Sequence, residues 1–155
     1  MKYYKINFKN FLKLSLFFLF FIIGLNIIRA ETNTKYLIDQ TKDNIYKNNY
    51  EEALNKINQV IQSSPSESEA LALRCFIRIN LQDMEALDDC NTALKRNPKS
   101  ELAYIAKGYF HMSYSNPQEA DFNYKKAIEI NPNSDIAYYY LASNNSQFSH
   151  LKKRN

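Results

Sequence analysis

An alanine followed twelve residues later by a proline occurs three times in register: Ala53 and Pro65, Ala86 and Pro98, Ala120 and Pro132. The steps between successive alanines, and between successive prolines, are 33 and 34 residues. A period of that length marks a supersecondary unit copied along the chain, each copy burying against its neighbour what it cannot bury alone. Four residues after each alanine stand Ile57, Cys90 and Tyr124, and seven residues after stand Val60, Ala93 and Ala127. Offsets of four and seven fall on one helical face, so each unit closes in an amphipathic helix that stops before its proline.

The first half of each unit is also helical in pattern, over residues 32–47, 66–82 and 100–115. Ser66 and Ser100 follow their prolines and read as N-caps, with glutamates in the first turn. Polar breaks at residues 47–52, 81–85 and 114–119 separate the two helices of each unit. The middle break is one residue shorter, which accounts for the 33-residue step. Only two glycines occur in 155 residues, too few for a β-sandwich with its many tight turns or for a glycine-rich phosphate loop.

This pattern resembles the tetratricopeptide repeat (TPR) family. The resemblance is carried by residues 49–54 (NYEEAL), Arg74-Cys75, residues 89–94 (DCNTAL), Lys107-Gly108 and residues 127–132 (AIEINP). It implies an all-α fold, a right-handed superhelical solenoid of three TPR-like helix pairs with a C-terminal capping helix. The units are placed at 34–67, 68–100 and 101–134, with the cap at 135–153. The chain departs from the family pattern in having Thr41 and Cys75 where Gly108 stands in the third unit, and no tryptophan at the large early site, filled here by Leu37, Leu71, Tyr104 and Tyr138.

In such a stack two antiparallel helices approach closely only where side chains are small. Thr41, Cys75, Gly108 and Ala142 are expected to face Ala53, Ala86 and Ala120, while Val60, Ala93 and Ala127 let each second helix nest on the next unit. Leu37, Ile57, Leu71, Tyr104, Tyr124 and Tyr138 are expected to fill the remaining space. The same register sets Cys75 opposite Ala86 with Cys90 one helical turn further, about 5.4 Å along. With about 8 Å between close helices, the Cα atoms fall roughly 10 Å apart, beyond the disulfide limit of about 7 Å. Both cysteines therefore read as small packing residues.

Residues 1–30 differ in composition. Lys2, Lys5, Lys9 and Lys13 lead into an apolar run that ends at Ile28, followed by Arg29 and Ala30. A basic start, an apolar core and a small residue at the exit describe a secretory signal peptide. The rival is an uncleaved anchor, with residues 11–28 as a membrane tether. Either reading sends the repeats across a membrane, to a periplasmic or extracellular (secreted) location or to the non-cytoplasmic side of an anchoring membrane. The leader also holds the charge excess. The formal net charge is +4, yet after Ala30 fifteen Lys and Arg meet sixteen acidic residues. Net charge therefore offers no basic surface for nucleic acid.

The family binds extended or helical peptides along its concave side, which first helices line. The resemblance places Ile38, Lys42 and Ile45, then Phe76 and Ile79, then Leu102, Ile105, Tyr109 and Met112, with Tyr139 from the cap, on that groove. One variant of the family holds a terminal carboxylate with Lys and Asn at fixed first-helix places. Here those places carry Ile38 with Lys42, Ala72 with Phe76, and Ile105 with Tyr109, so that clamp is missing. Nothing points to an enzyme or a cofactor. His111 falls at a packing position, His150 lies in a polar tail, and no metal or nucleophile motif occurs. The adjacent pairs Glu51-Glu52 and Asp88-Asp89 read as solvated helix starts, and Asn144-Asn145-Ser146 fits an N-glycosylation acceptor. The function expected is that of an adaptor binding a protein or peptide partner; the alternative is a structural subunit of a membrane or envelope complex.

Overall fold

The computed structural model of the chain describes residues 8–154, and the side chains of residues 13, 15–147 and 149. Lys2 and Lys5, and the side chains of Lys9, His150 and the basic tail, lie outside what it describes. Among the described residues there are seven α-helices and no strand: α1 Phe8–Tyr46, α2 Tyr50–Ser63, α3 Ser68–Asn80, α4 Ala86–Arg96, α5 Glu101–Ser113, α6 Pro117–Ile130 and α7 Asp135–Arg154.

The chain divides into two compact units, Met1–Tyr36 and Leu37–Asn155. In the first, α1 is apolar and its large side chains from Leu16 to Ile28 are exposed. The stretch is long and apolar enough to cross a membrane. The sequence suggests a boundary near Ala30, but α1 continues through it. No Pro or Gly interrupts residues 25–46, and the Thr32 hydroxyl donates to the Ile28 carbonyl at 2.8 Å within the helix.

In the second unit, the end of α1 pairs with α2, α3 with α4, and α5 with α6, and α7 covers the last pair. First helices also pack on one another, α3 on α5 and α5 on α7, whereas α2, α4 and α6 make no such contacts among the described residues. Closer spacing of one helix layer is what a curved stack requires on its inner side, so the first helices form the concave face.

Each first helix ends in the same way. The Asn49, Asp83 and Asn116 amides reach back to the Asn44, Arg78 and His111 carbonyls at 2.8, 2.9 and 2.8 Å. The amides of Asn48, Gln82 and Ser115 bond Ile45, Ile79 and Met112. This is the Schellman closure, and the residue at its hinge has φ of 59, 60 and 58° in the three units. The one-residue deletion falls after this closure. The helix that follows is also shorter, α4 having 11 residues against 14 in α2 and α6. The register from Ala86 onward is untouched.

The caps agree with the sequence at Ser100, whose side chain accepts from the Ala103 amide at 3.3 Å. They differ at α3, where Glu67, not Ser66, is the N-cap and makes no side-chain bond. Ser68 instead donates to the Ala93 carbonyl at 3.0 Å, tying α3 to α4.

The small-residue positions fill the core as expected, with Ala53, Ala86, Ala120, Val60, Ala93 and Ala127 all fully buried. In the second and third units the small site on the first helix also meets the residue four places beyond the alanine. Thus Gly108 lies against Tyr124, and a Cβ on it would meet the Tyr124 ring at 2.5 Å. The equivalent pair in the middle unit is Cys75 and Cys90. They are bonded, with Cα atoms 5.4 Å apart, which corrects the expectation of two unpaired cysteines. The expected offset of one turn was wrong; the two residues lie directly across the helix contact. Asp89 is a second correction. It is buried and receives Arg74 Nε and Nη2 at 2.8 and 2.6 Å and Arg78 Nη1 at 3.1 Å, so it is no solvated helix start. Tyr138 and Ala142, expected to pack inside, are exposed, and among the described residues no second helix packs over them.

Candidate peptide-binding groove

A helix that packs on both sides along the inner layer still leaves one stripe toward the concavity. On α3 that stripe carries Phe76 and Asn80, on α5 Tyr109, and on α7 Ile136, Tyr139 and Tyr140. Aromatic side chains of the inner-layer helices meet ring to ring. Phe76 stacks on Tyr109 with centroids 5.0 Å apart, Tyr109 meets Tyr140 at 5.4 Å, and Tyr140 meets Tyr139 at 5.5 Å. From beneath, the buried Tyr124 of α6 lies nearly parallel to Tyr140 at 5.8 Å. These rings form a continuous ladder across the stack.

The polar groups of the ladder are few. The Tyr109 hydroxyl donates to Asn80 Oδ1 at 3.2 Å, and the Tyr124 hydroxyl points to Met112 Sδ at 3.8 Å. Lys42 Nζ lies 2.6 Å from Glu69 Oε1, so the two charges on this wall neutralise one another. Burial raises the pKa of Tyr109 above the usual phenol value and pushes Tyr140 up to about 12, with neighbouring tyrosines adding to it. Burial also raises that of Tyr124, so all three stay uncharged at neutral pH. His111 is half-buried, and desolvation lowers its pKa.

Between the end of α1 and the start of α7 the concavity opens into a cleft of about 540 Å³. It is lined by Lys42, Ile45, Tyr46, Asp135, Ile136, Tyr139 and Tyr140. Tyr46 and Tyr139 are 87% and 68% exposed at its rim.

The ten residues assigned to the groove from the sequence therefore separate. Phe76, Tyr109, Lys42, Ile45 and Tyr139 stand on the ladder or the cleft, while Met112 turns its sulfur to the buried Tyr124 of α6. Ile38, Ile79 and Ile105 are buried in the core with 7, 5 and 4% of their surface left, and offer nothing to a ligand. Leu102 is partly buried against the core, where it packs with Leu71, Ala72 and Ala93. Tyr140 was missed. Its repeat equivalents are Leu73 and Ala106, both core residues, and the signal was a large aromatic where Ala106 stands. The glycosylation triplet is also placed: Asn144 is 2% exposed and donates through Nδ2 to the Pro117 carbonyl at 2.9 Å. Among the described residues no group of three or more His, Cys, Asp or Glu is arranged to hold a metal ion.

No protein-family model matches the chain. In sequence it is 29% identical over 108 residues to the Small glutamine-rich tetratricopeptide repeat-containing protein 2 of Mycosarcoma maydis, covering 68% of this chain. The chain spans between 5% and 30% of the length of the relatives it matches in sequence. In structure it is similar to the first TPR domain of the human RPAP3 protein, with a TM-score of 0.67, 20% identity, and 79% of this chain and 97% of that one covered. It is also similar to the first TPR of Spaghetti (RPAP3) bound to the HSP90 peptide SRMEEVD, with a TM-score of 0.63, 20% identity, and 76% and 94% covered. The three phased helix pairs, the inner layer of first helices and these likenesses together give residues 37–154 the fold of a tetratricopeptide-repeat solenoid.

Proposed function

We propose that this chain is a protein-binding adaptor that holds a segment of a partner along the concave face of its repeats. The observation that carries this is the aromatic ladder from Phe76 to Tyr139, open to solvent at its Tyr46 and Tyr139 end. Exposed rings clustered beside a cleft are costly to leave wet, and such anchors carry most of the energy of interfaces. The similarity to a domain bound to a peptide supports a peptide as the kind of ligand.

The ligand need not be acidic, because Lys42 is neutralised by Glu69 and the clamp positions hold Phe76 and Tyr109. The adaptor reading is tested with the full-length chain in lipid nanodiscs, titrated against a library of extended peptides. Saturable binding is expected, weakened about tenfold by Tyr139→Ala and by Phe76→Ala. Binding that neither substitution changes would place the site elsewhere.

The same proposal places the repeats outside the reducing cytosol. Two observations support it: the apolar leader and a disulfide, a bond that persists in oxidising compartments. If the leader is retained, the chain is an anchored subunit of a membrane assembly; if removed, a released adaptor. N-terminal sequencing of the mature protein separates the two. Recovery of the repeats with reduced thiols from a cytosolic fraction would overturn the export reading.

A further inference from the structure

The adaptor reading leaves open what kind of segment the groove takes, and the chemistry of its wall narrows the choice. We propose that the groove is built for an uncharged, proline-containing segment in the extended polyproline II conformation, a proposal that rests on the concave face being the binding surface.

The first argument is charge. Lys42 and Glu69 pair with each other at 2.6 Å, and the ladder itself presents phenol and phenyl rings. A charged segment would lose its hydration over the rings and gain no counter-charge there.

The second argument is backbone hydrogen bonding. The wall is made of helices whose N–H and C=O groups are already used within the helices, so it offers no strand edge. An ordinary extended peptide buried against it would leave its own N–H groups unpaired. Proline has no N–H to lose, and the polyproline II backbone has no internal bonds and presents its carbonyls outward. The donors that such carbonyls need are the Tyr139 and Tyr140 hydroxyls, since the Tyr109 hydroxyl already donates to Asn80 Oδ1 and Asn80 Nδ2 to the Phe76 carbonyl.

The third argument is spacing. Phe76 and Tyr140 flank Tyr109 at 5.0 and 5.4 Å, so the three rings cover close to the roughly 9 Å of one polyproline II turn, three residues at about 3.1 Å each. The Tyr109 and Tyr140 rings are tilted by 51°, so the ladder is ridged rather than flat. Proline-rich segments dock on aromatic-lined surfaces.

The test uses the full-length chain in lipid nanodiscs and four peptides of equal length, three of them capped at both ends. They are a repeated Pro-Pro-Ala peptide, a repeated Gly-Ser-Ala peptide, an amphipathic Leu/Lys/Glu helix, and an acidic peptide left with a free carboxylate. Affinities are measured by isothermal titration. The proline peptide is expected to bind at least about fivefold more tightly than the other three. Tyr139→Ala, at an exposed position that leaves the fold intact, should weaken it about fivefold or more. Tyr109→Phe, which keeps the ring and removes the hydroxyl, should weaken it less.

Tighter binding of the helix or the acidic peptide, lost in Tyr139→Ala, overturns the proline class and leaves the groove reading standing. No binding by any of the four overturns both. Binding of the proline peptide that is indifferent to both substitutions shows a site elsewhere and overturns the proposal.

Discussion

At the scale of single residues, the packing turns on the place where each first helix crosses its partner. Two solutions occupy equivalent positions: Cys75 bonded to Cys90, and Gly108 against Tyr124. Tyr124 is the largest fully buried side chain, and only the missing Cβ of Gly108 makes room for it. Gly108→Ala would gain about 1 kcal/mol of helix propensity. Against that, the new Cβ would sit 2.5 Å from the ring, and overpacking costs about 1–3 kcal/mol. A net loss is expected in urea titration. It should shrink in Gly108→Ala/Tyr124→Leu, where the ring is gone, and equal losses in the two backgrounds would show that the glycine serves something else.

At the scale of elements, the sequence periods gave seven helices their places, but the joints follow rules the periods do not contain. Gln82 and Ser115 sit in the left-handed region where Gly is the usual hinge, and an L-residue there costs about 1–2 kcal/mol. Ser115→Gly should therefore raise stability by about 0.5–1 kcal/mol, the gain being reduced by the greater freedom of glycine in the unfolded chain. A lower thermal midpoint would mean that the Ser115 side chain is needed where it is. The middle helix pair is joined differently. Its disulfide closes a loop of 15 residues, which in the chain-entropy account is worth about 3 kcal/mol. Reduction, or Cys75→Ala/Cys90→Ala, is expected to lower stability by about that much. An intact-mass measurement with and without reductant reports the bond itself. Asp89 and Arg74 are the chain neighbours of the two cysteines and hold the same crossing by a buried two-pronged ion pair.

For the whole molecule, the concave face and the core share one set of tyrosines, so groove and stability titrate together. Tyr109, Tyr124 and Tyr140 all have raised pKa values, with burial the largest cause. The charged form of tyrosine is the deprotonated one, so the unfolded chain releases these protons first. Their contribution is complete below pH of about 10, the unfolded value, and is lost as pH rises through the folded values. Urea midpoints should hold from about pH 8 to 9 and fall above about pH 10. Tyr124→Phe should remove part of that fall, and an unchanged alkaline limb would show that Tyr124 is not held neutral by burial.

What the sequence determined by itself is what repeats. Alanines and prolines in phase specify helix pairs and their stacking, because a helix face must recur at a fixed period to be buried by its neighbour. The polar breaks were legible for the same reason, because they recur at that period. Tertiary structure alone decided what depends on distances between residues in different helices. It set Cys75 across from Cys90, buried Asp89 between two arginines, withdrew Ile38, Ile79 and Ile105 into the core, and brought Tyr140 onto the ladder. A shift of one helical position along a crossing changes each of these outcomes, and a periodic pattern is indifferent to such a shift.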